Sequence, residues 1–494
     1  MKRSSGILMP IASLPSQYGI GCMDEAAYEF ILRLEEAGQT YWQILPMGPT
    51  SYGDSPYQSF STFAGNPYFI SLKELKKKGY LTDGDLRDYE KTVKEKPIQY
   101  GALYEKRFPL LKKAFWNSHI ETDGEYIEFI RENEEWLGDY ALFMAIKDSK
   151  NGASYLEWED GIRRRQPEAL EEYKEKLMGE INFYQFLQYE FSLQWKKLRG
   201  YANDHGVKII GDIPIYVALD SADTWAHPEL FQFDEKGEPT KVAGCPPDAF
   251  SATGQLWGNP LYRWEVHEKE HYAWWIRRIQ NCFRWYDVVR IDHFRGFDEY
   301  YAIPFLDKTA EFGAWEKGPG MALFEALKKE LGDMPIIAED LGFLTDSVRE
   351  LLKDTEYPGM KILQFAFDAS GESDYLPYHY DHNSVVYTGT HDNTTTLSWW
   401  KELPREVKEI VFRYLNIKKC SSGKKMTWNL ITLAMSSVSD LCIIPMQDYL
   451  CLSNEARINT PSTLGGNWEW RMDAGAFDEK LCKKIAELTK RYGR

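Results

Sequence analysis

Short apolar runs recur along the chain, and each of them ends in a Gly, Pro or polar turn. Eight of these runs are predicted as β-strands, because β-branched and aromatic residues are frequent in them and turn-forming residues bound them. The predicted strands cover residues 7–14, 41–47, 207–217, 288–294, 335–342, 360–367, 384–392 and 441–450. Helical periodicity lies between several of them, for example at residues 24–37, 321–331 and 346–353.

Strands that are apolar almost throughout and alternate with helices are typical of a parallel sheet covered on both faces. Eight such units predict an α/β fold, a single (β/α)8 TIM barrel that spans residues 1–494. Two intervals are too long for one crossover helix. Residues 48–206, after strand 2, are predicted to form an inserted, mainly helical subdomain, and residues 218–287, after strand 3, a second insertion. The short stretch after residue 450 leaves no room for a C-terminal β-sandwich domain.

The composition limits the possible classes of function. A hydrophobic fraction of 43% fits a globular protein with a large core, and no apolar run has membrane-spanning length. The net charge of −16 argues against a nucleic acid or an anionic membrane surface as partner, since both require clustered cations. Aromatic residues make up 15% of the chain, which suits either platforms for sugar rings or a large core with insertions.

The N-terminus and the cysteines suggest a compartment. The first apolar segment is short and interrupted by Pro10, so it is interpreted as a strand rather than a signal peptide. The seven cysteines are odd in number, scattered and free of CxxC pairs, which favours reduced thiols. We therefore expect a cytoplasmic protein.

The fourth predicted strand carries opposite charges near its C-terminal end. Side chains alternate along a strand, so Val288, Arg290 and Asp292 share one face. Burying a cation and a carboxylate is costly unless they are paired or used. The apolar neighbours of this pair argue against a solvated edge, and the pattern favours a functional site.

Further polar residues lie at the ends of other predicted strands. Asp212 lies on strand 3, Glu339 on strand 5, and His391 and Asp392 on strand 7. The strand ends of a barrel converge on one mouth, so residues far apart in the sequence can meet there. Each carboxylate alone could be a helix N-cap, but the group together with Arg290 indicates a site.

Two carboxylates at a barrel mouth suit the cleavage of a glycosidic bond. One must stay ionised at the anomeric centre, and the other must be protonated to release the leaving oxygen. Arg290 would favour the ionised form of Asp292. The apolar residues before Glu339 could raise its pKa and suit it to proton donation. Asp392 would then hold sugar hydroxyls.

Four segments make the chemistry more specific. GDIPIYV, VVRIDHFRG, PIIAEDLG and YTGTHDNTT, in that order, resemble the amylomaltases, which are 4-α-glucanotransferases of glycoside hydrolase family 77 and relatives of the α-amylases. The resemblance also covers LPSQYGIG, SYGDSPYQSFSTFAGNPY, GCPPDAFSATGQLWGNP and TPSTLGGNWEWR, and so runs along essentially the whole chain. GDIPIYV lacks the Asn-His that ends this region in typical α-amylases, which counts against a plain α-amylase.

The resemblance implies a retaining, double-displacement transfer of α-1,4-glucan segments. Its donors and acceptors would be maltooligosaccharides and starch- or glycogen-derived glucans, with glucose as a further acceptor and without cofactor or metal. Asp292 matches the family nucleophile, Glu339 the general acid/base and Asp392 the third carboxylate. The substrate-binding positions implied by the resemblance or expected as walls over a glucan are Arg290, His391, Asp212, Tyr57, Gln58, Phe250, Gln255 and Trp257.

The loop at residues 244–259 is expected to act as a lid. A transferase must keep water from its covalent intermediate, and Gly and Pro punctuation with apolar side chains suits a closing loop. A packed surface loop is the alternative. The two reacting carboxyl groups are expected about 5–5.5 Å apart, the retaining geometry.

Three other functions compete with glucan transfer. Hydrolysis of α-1,4-glucans on the same scaffold uses the same carboxylates, and the products formed from maltotriose would separate the two. A metal-dependent barrel hydrolase typically needs an HxH on strand 1, which residues 7–13 lack. A glycan-binding protein without catalysis is disfavoured because all three acidic positions are present.

Overall fold

The computed structural model describes residues 2–51, 53–94, 96–247, 251–342, 344–371, 373–419 and 422–494. The strands in these ranges are β1 (Ser4–Leu8), β2 (Tyr41–Gln43), β3 (Lys208–Pro214), β4 (Lys241–Cys245), β5 (Gln255–Pro260), β6 (Val288–Asp292), β7 (Glu299–Pro304), β8 (Ala314–Lys317), β9 (Ile336–Ala338), β10 (Gly359–Ile362), β11 (Ser384–Tyr387) and β12 (Leu441–Pro445).

The helices in the same ranges are α1 (Glu25–Glu36), α2 (Leu72–Lys77), α3 (Asp83–Glu90), α4 (Tyr100–Ser118), α5 (Gly124–Glu132), α6 (Glu134–Ser149), α7 (Asp160–Arg163), α8 (Pro167–Lys176), α9 (Met178–Asp204), α10 (Ala222–Ala226), α11 (Trp264–Lys269), α12 (Ala273–Trp285), α13 (Met321–Leu331), α14 (Asp346–Thr355), α15 (Thr396–Glu402), α16 (Arg405–Tyr414), α17 (Gly423–Ser436), α18 (Met446–Tyr449) and α19 (Glu479–Arg491). Many begin at a side chain that accepts a hydrogen bond from the first turn, as Asp24, Thr82, Thr345 and Asp478 do.

Eight parallel strands form the barrel, as the sequence predicts. Their order is β10-β11-β12-β1-β2-β3-β6-β9. The N–H of Ala338 on β9 donates to the carbonyl of Pro358, just before β10, at 3.0 Å, so the sheet nearly closes on itself. Each barrel strand overlaps one of the eight predicted apolar runs, although β1 begins three residues and β10 one residue before its run, and the result is a (β/α)8 TIM barrel.

The barrel strands are shorter than the apolar runs that predict them. β1 ends at Leu8, whereas the run continues to residue 14. Ile11 and Leu14 lie beyond the strand and are nonetheless buried, because they pack in the large core rather than pairing in the sheet. Apolar character therefore marks burial here, and strand ends are set by the hydrogen-bonded ladder.

The alternation along β6 is as the sequence predicts. Val288 packs inside the barrel with Leu8, Ile210 and Ile337, side chains that form a core of their own. Val289 and Ile291 point outward into the large core between strands and helices. Arg290 and Asp292 share the inner face with Val288, which carries their charged groups to the mouth.

Helices α2 to α9 lie between β2 and β3, where the helical insertion is expected. Two buried glutamines of α9 hold the loop that leads out of β2. Gln188 exchanges hydrogen bonds with both backbone groups of Gly65, at 2.7 and 2.9 Å, and Gln194 accepts from the N–H of Ser71 at 2.7 Å. The boundaries 48–206 and 218–287 of the two insertions remain predictions.

A second, antiparallel sheet lies beside the barrel and was not predicted. Its order is β5-β4-β7-β8. The first two strands belong to the insertion after β3, but β7 and β8 follow β6, where the sequence analysis expects no excursion. Because β4 and β7 are far apart in the chain, their pairing leaves no local signal in either segment.

The chain after β12 returns to the barrel wall. Helix α19 packs against α1, and no strand follows β12 in the described part of the chain. None of the described helices is both long and apolar enough to cross a membrane.

Candidate active site

Arg290 lies at the centre of the barrel mouth and joins two carboxylates. Its side chain on β6 is almost fully buried. Nη1 donates to both carboxylate oxygens of Asp212 at 2.7 Å, and Nη2 lies 2.9 Å from Oδ1 of Asp292. Asp212 stands opposite Arg290 on the neighbouring strand β3 and is completely buried. Both buried charges are thus paired and hydrogen-bonded, which is the condition for tolerating them.

These charges shift the pKa values of the groups at the mouth. Burial acts to lower the pKa of Arg290, but Asp212 and Asp292 raise it well above its ordinary value, so the guanidinium stays charged. Burial raises the pKa of Asp292 above its ordinary value, and Arg290 acts in the opposite direction. The expected influence of Arg290 is confirmed in direction, but the burial that opposes it was not anticipated. The Asp292 side chain remains 30% exposed to the mouth.

Glu339 follows directly after β9 and lies beside the end of β6. The register pairs Ile291 with Ala338, so Asp292 and Glu339 leave adjacent strand ends together. The N–H of His293 donates to Oε2 of Glu339 at 2.7 Å, and the N–H of Leu341 donates to Oε1 at 2.8 Å. The spacing of about 5–5.5 Å between the Asp292 and Glu339 carboxyl groups stays a prediction.

The Glu339 carboxyl group is set up to hold a proton. Burial and then the charge of Asp292 raise its pKa to about 8, against the smaller opposing effects of Arg290 and the two backbone N–H groups. The sequence-based expectation of a raised pKa is confirmed, and burial is its main cause. Asp340, the next residue, accepts instead from the N–H of Met360 at 2.6 Å, on the opposite side of the strand.

His391 and Asp392 lie on the loop between β11 and α15. Nε2 of His391 lies 3.3 Å from Oδ1 of Asp392. The same oxygen accepts a hydrogen bond from Nδ2 of Asn459 at 2.7 Å, and the carbonyl of Asp392 accepts from Nη2 of Arg457 at 2.6 Å. The His391 side chain is buried, whereas that of Asp392 is 43% exposed, so the carboxylate faces the open mouth.

An aromatic wall stands on one side of the mouth. Tyr57 donates its hydroxyl to Oδ2 of Asp212 at 2.9 Å, and its ring stacks on His391 with centroids 5.2 Å apart and an angle of 18°. Trp468 contacts both rings at 5.9 and 6.0 Å. The sequence leaves open whether Trp468 lines the site or packs the tail; its buried indole packs against both of these rings.

The second wall comes from β5. The indole of Trp257 meets the His293 ring edge-on at 4.8 Å, and its Nε1 donates to Oε1 of Gln255 at 3.1 Å. Gln58 donates instead to Oδ1 of Asn259 at 3.0 Å, which ties the first insertion to this strand. Phe250 lies outside the described residues.

Three residues of the site were not singled out from the sequence. His293 contributes its backbone N–H to Glu339, and its buried ring Nε2 has no hydrogen-bond partner among the described residues. Arg457 and Asn459 belong to the chain after β12, and only the fold brings them to Asp392. In the described part of the chain, no cluster of three or more His, Cys, Asp or Glu side chains could hold a metal ion.

A (β/α)8 barrel with acidic residues at adjacent strand ends and aromatic walls above them defines a glycosidic-bond enzyme of the TIM-barrel class. The chain belongs to glycoside hydrolase family 77, the 4-alpha-glucanotransferases, whose family model matches residues 9–476.

Individual relatives agree with this assignment. The chain is 49% identical to the 4-alpha-glucanotransferase of Clostridium butyricum, over 98% of this chain and 100% of the relative. It is 48% identical to that of Streptococcus pneumoniae TIGR4, over 100% and 98%. Among solved structures, an amylomaltase from Streptococcus agalactiae in complex with acarbose superposes with a TM-score of 0.96 at 42% identity, covering all of both chains. The hydrolytic alternative is not favoured, since the family and these relatives bear the transferase or amylomaltase name.

Proposed function

We propose that the chain transfers α-1,4-glucan segments between maltooligosaccharides, or to glucose, by a retaining double displacement in which Asp292 and Glu339 are the reacting groups. One observation carries the proposal. Two carboxyl groups leave adjacent strand ends, and only Asp292 of the two is bonded to a cation, Arg290. Their environments thus differ as the nucleophile and the acid of a glycosidase must differ.

In the first step Asp292 attacks the anomeric carbon of the bound glucan. The bond from this carbon to the leaving oxygen breaks, and Glu339 gives its proton to that oxygen. The shorter chain departs, and a glycosyl ester on Asp292 remains. Asp392, open to the mouth and held by Asn459, would bind ring hydroxyls during the reaction.

The second step runs in reverse with a new acceptor. Esterification removes the negative charge of Asp292, which is one of the causes that raise the pKa of Glu339. The pKa of Glu339 therefore falls in the intermediate, and the carboxylate can take the proton of an acceptor hydroxyl as that oxygen attacks. The same residue serves as acid and then as base.

Transfer also requires that a sugar hydroxyl, rather than water, attacks the glycosyl ester. The hairpin of β4 and β5 brings Trp257 against His293 beside Glu339, and Tyr57 and Trp468 stand on the other side. We propose that these walls bind the acceptor glucan. We also propose that the segment 244–259, which includes Trp257 and whose residues 248–250 lie outside the described residues, acts as the lid that keeps water out. Donors would include maltooligosaccharides and glucans derived from starch or glycogen.

Incubation with maltotriose tests the proposal. Transfer conserves the number of glycosidic bonds, so maltotetraose and longer chains should form with glucose while the total of reducing ends stays constant. Hydrolysis would add one reducing end per cleavage. A mixture of only maltose and glucose with rising reducing ends would overturn glucan transfer, and an Asp292→Asn variant as active as the parent would overturn the assigned nucleophile.

We also propose the cytoplasm as the compartment. Five cysteines are buried in the described part of the chain, and none of these five forms a disulfide there. Buried thiols that form no disulfide suit a reducing environment. Fractionation of producing cells, with a periplasmic and a cytoplasmic marker, tests this assignment.

A further inference from the structure

The loop that carries Asp392 is held by the chain that follows β12. Asp448 is buried and accepts hydrogen bonds from the hydroxyls of Thr388 and Thr396, both at 2.6 Å, at the two ends of the loop. Oδ1 of Asn454 accepts from the hydroxyl of Thr394 and from the N–H of Thr395. The loop itself is thereby fixed at both ends, but these contacts do not reach Asp392.

Arg457 contacts the backbone of Asp392 itself. Nη2 donates to the carbonyl of Asp392 at 2.6 Å, and Nε donates to the carbonyl of Asn459 at 2.7 Å. Asn459 in turn donates its side-chain N–H to Oδ1 of Asp392 and its backbone N–H to the carbonyl of His391, at 2.7 and 3.1 Å. The guanidinium therefore holds the backbone of Asp392 and the backbone of Asn459, whose side chain orients the Asp392 carboxylate.

We infer that Arg457 is a positioning residue for glucan transfer, which fixes Asp392 without touching the substrate. The inference rests on the proposed role of Asp392 at the reacting sugar. Asp392 is 43% exposed on an eight-residue loop between β11 and α15, so its own packing leaves the carboxylate free to turn. Two directed hydrogen bonds from one planar group remove that freedom.

Arg457 also lines a groove whose lining includes none of the carboxylates Asp292, Glu339 and Asp392. The groove has a volume of about 720 Å³ and is also lined by Asn454, Asn467, Glu469 and Trp470. Small cations in solution can therefore reach the position of the guanidinium without passing the reacting carboxylates. This access makes chemical rescue possible.

The first experiment measures kinetics of Arg457→Ala and Arg457→Lys on maltotriose. For the alanine variant kcat should fall about 100-fold while KM changes less than about threefold, because a shift of about 1 Å in Asp392 affects the transition state more than ground-state binding. Lysine keeps the charge but cannot make both directed hydrogen bonds, so kcat of Arg457→Lys should lie between kcat of the parent and kcat of Arg457→Ala. Millimolar guanidinium chloride should raise kcat of Arg457→Ala by at least about tenfold, and the same concentration of sodium chloride should not.

Arg199 offers a matched control. Its guanidinium also bonds to backbone carbonyls, those of Arg284 and Tyr286, but at the start of β6, at the opposite end of the barrel. Arg199→Ala should lower the melting temperature, leave kcat unchanged and show no rescue by guanidinium. A purely structural role of Arg457 would give the same result.

A double-mutant cycle tests whether Arg457 acts through Asp392. In an Asp392→Asn background the change Arg457→Ala should cost less than about threefold in kcat, because Arg457 has nothing left to position. An undiminished kcat of Arg457→Ala in the parent, or an equal loss in both backgrounds, would overturn the inference. If Arg457→Ala does not fold, Arg457→Lys takes its place in the cycle. An Asp392→Asn variant with the parent's kcat would instead overturn the proposed role of Asp392.

Discussion

The proton on Glu339 can be tested by changing the pH and by removing the carboxyl group. A pKa of about 8 leaves about 90% of the Glu339 side chains protonated at pH 7, about half at pH 8 and about 10% at pH 9. With the ordinary pKa of a glutamate, only about 0.3% would be protonated at pH 7. Burial and the charge of Asp292 therefore raise the population competent for acid catalysis about 300-fold.

The direction of the pH effect on kcat/KM follows from the proposed role of Glu339 as the general acid. The acid form is required in the first step, so kcat/KM for maltotriose should be constant below about pH 7 on this side of the profile and fall tenfold per pH unit well above pH 8. This alkaline fall in the pH profile reports the titration of the Asp292–Glu339 pair as a unit, since the two groups interact. Initial rates of glucose release between pH 6 and 10, with stability checked at each pH, measure it.

A donor that needs no proton separates the two steps. Fluoride leaves without protonation, so Glu339→Gln should release about one equivalent of fluoride from α-maltosyl fluoride as the ester forms on Asp292. Release should then slow, because glutamine cannot act as the base for the acceptor. With maltotriose the same variant should lose about 10²–10⁴-fold in kcat/KM.

Two results would refute this reasoning. One is an alkaline limb that starts near pH 5, which would mean that the pKa of Glu339 is ordinary. The other is an equal loss with maltotriose and the fluoride donor, which would place Glu339 in binding rather than in proton transfer. Glu325→Gln, at an exposed position of α13, controls for the loss of a carboxylate far from the mouth.

Three further predictions concern the neighbours of this pair. Arg290→Met should lower the free energy of unfolding by about 3–5 kcal/mol in urea titrations, because Asp212 stays buried without its cation, and a loss below about 1 kcal/mol would contradict the pairing. Tyr57→Phe removes the hydroxyl that donates to Asp212 but keeps the ring stacked on His391, so kcat/KM should fall about tenfold with little change in melting temperature, and unchanged kinetics would show that the hydroxyl has no part. Trp257→Ala should raise the new reducing ends formed per maltotriose consumed, and a constant ratio would show that this wall does not exclude water.

The barrel could be predicted because its signal is local. Each strand is an apolar run between turn residues, and the order of eight such runs implies the closed sheet. The alternation along β6 also places Arg290 and Asp292 on one face without any knowledge of their neighbours. Glu339 and Asp212 could be placed at the mouth because each is an acidic residue within a mainly apolar run.

The second sheet and the support of Asp392 could not be predicted in this way. β7 has an apolar pattern of its own, but its partner β4 lies in another insertion, and nothing in either segment shows their pairing. Arg457 and Asn459 follow β12 in a stretch without regular periodicity. Their contacts with Asp392 depend on β11 and β12 being neighbours in a closed barrel, which is a property of the whole fold.

The distribution of cations at the mouth explains which carboxyl group keeps the proton. Arg290 bonds to Asp212 and Asp292, and it is the cation nearest to both. In the described part of the chain no cation forms an ion pair with Glu339, whose oxygens face two backbone N–H groups instead. Two negative charges side by side in a partly buried site are costly, so one proton is retained, and it is favoured on the carboxyl group that forms no direct ion pair with a described cation. In the proposed mechanism Arg290 thereby favours Asp292 as the nucleophile and Glu339 as the acid, so we expect that moving the cation, rather than exchanging the carboxylates, would reverse their roles.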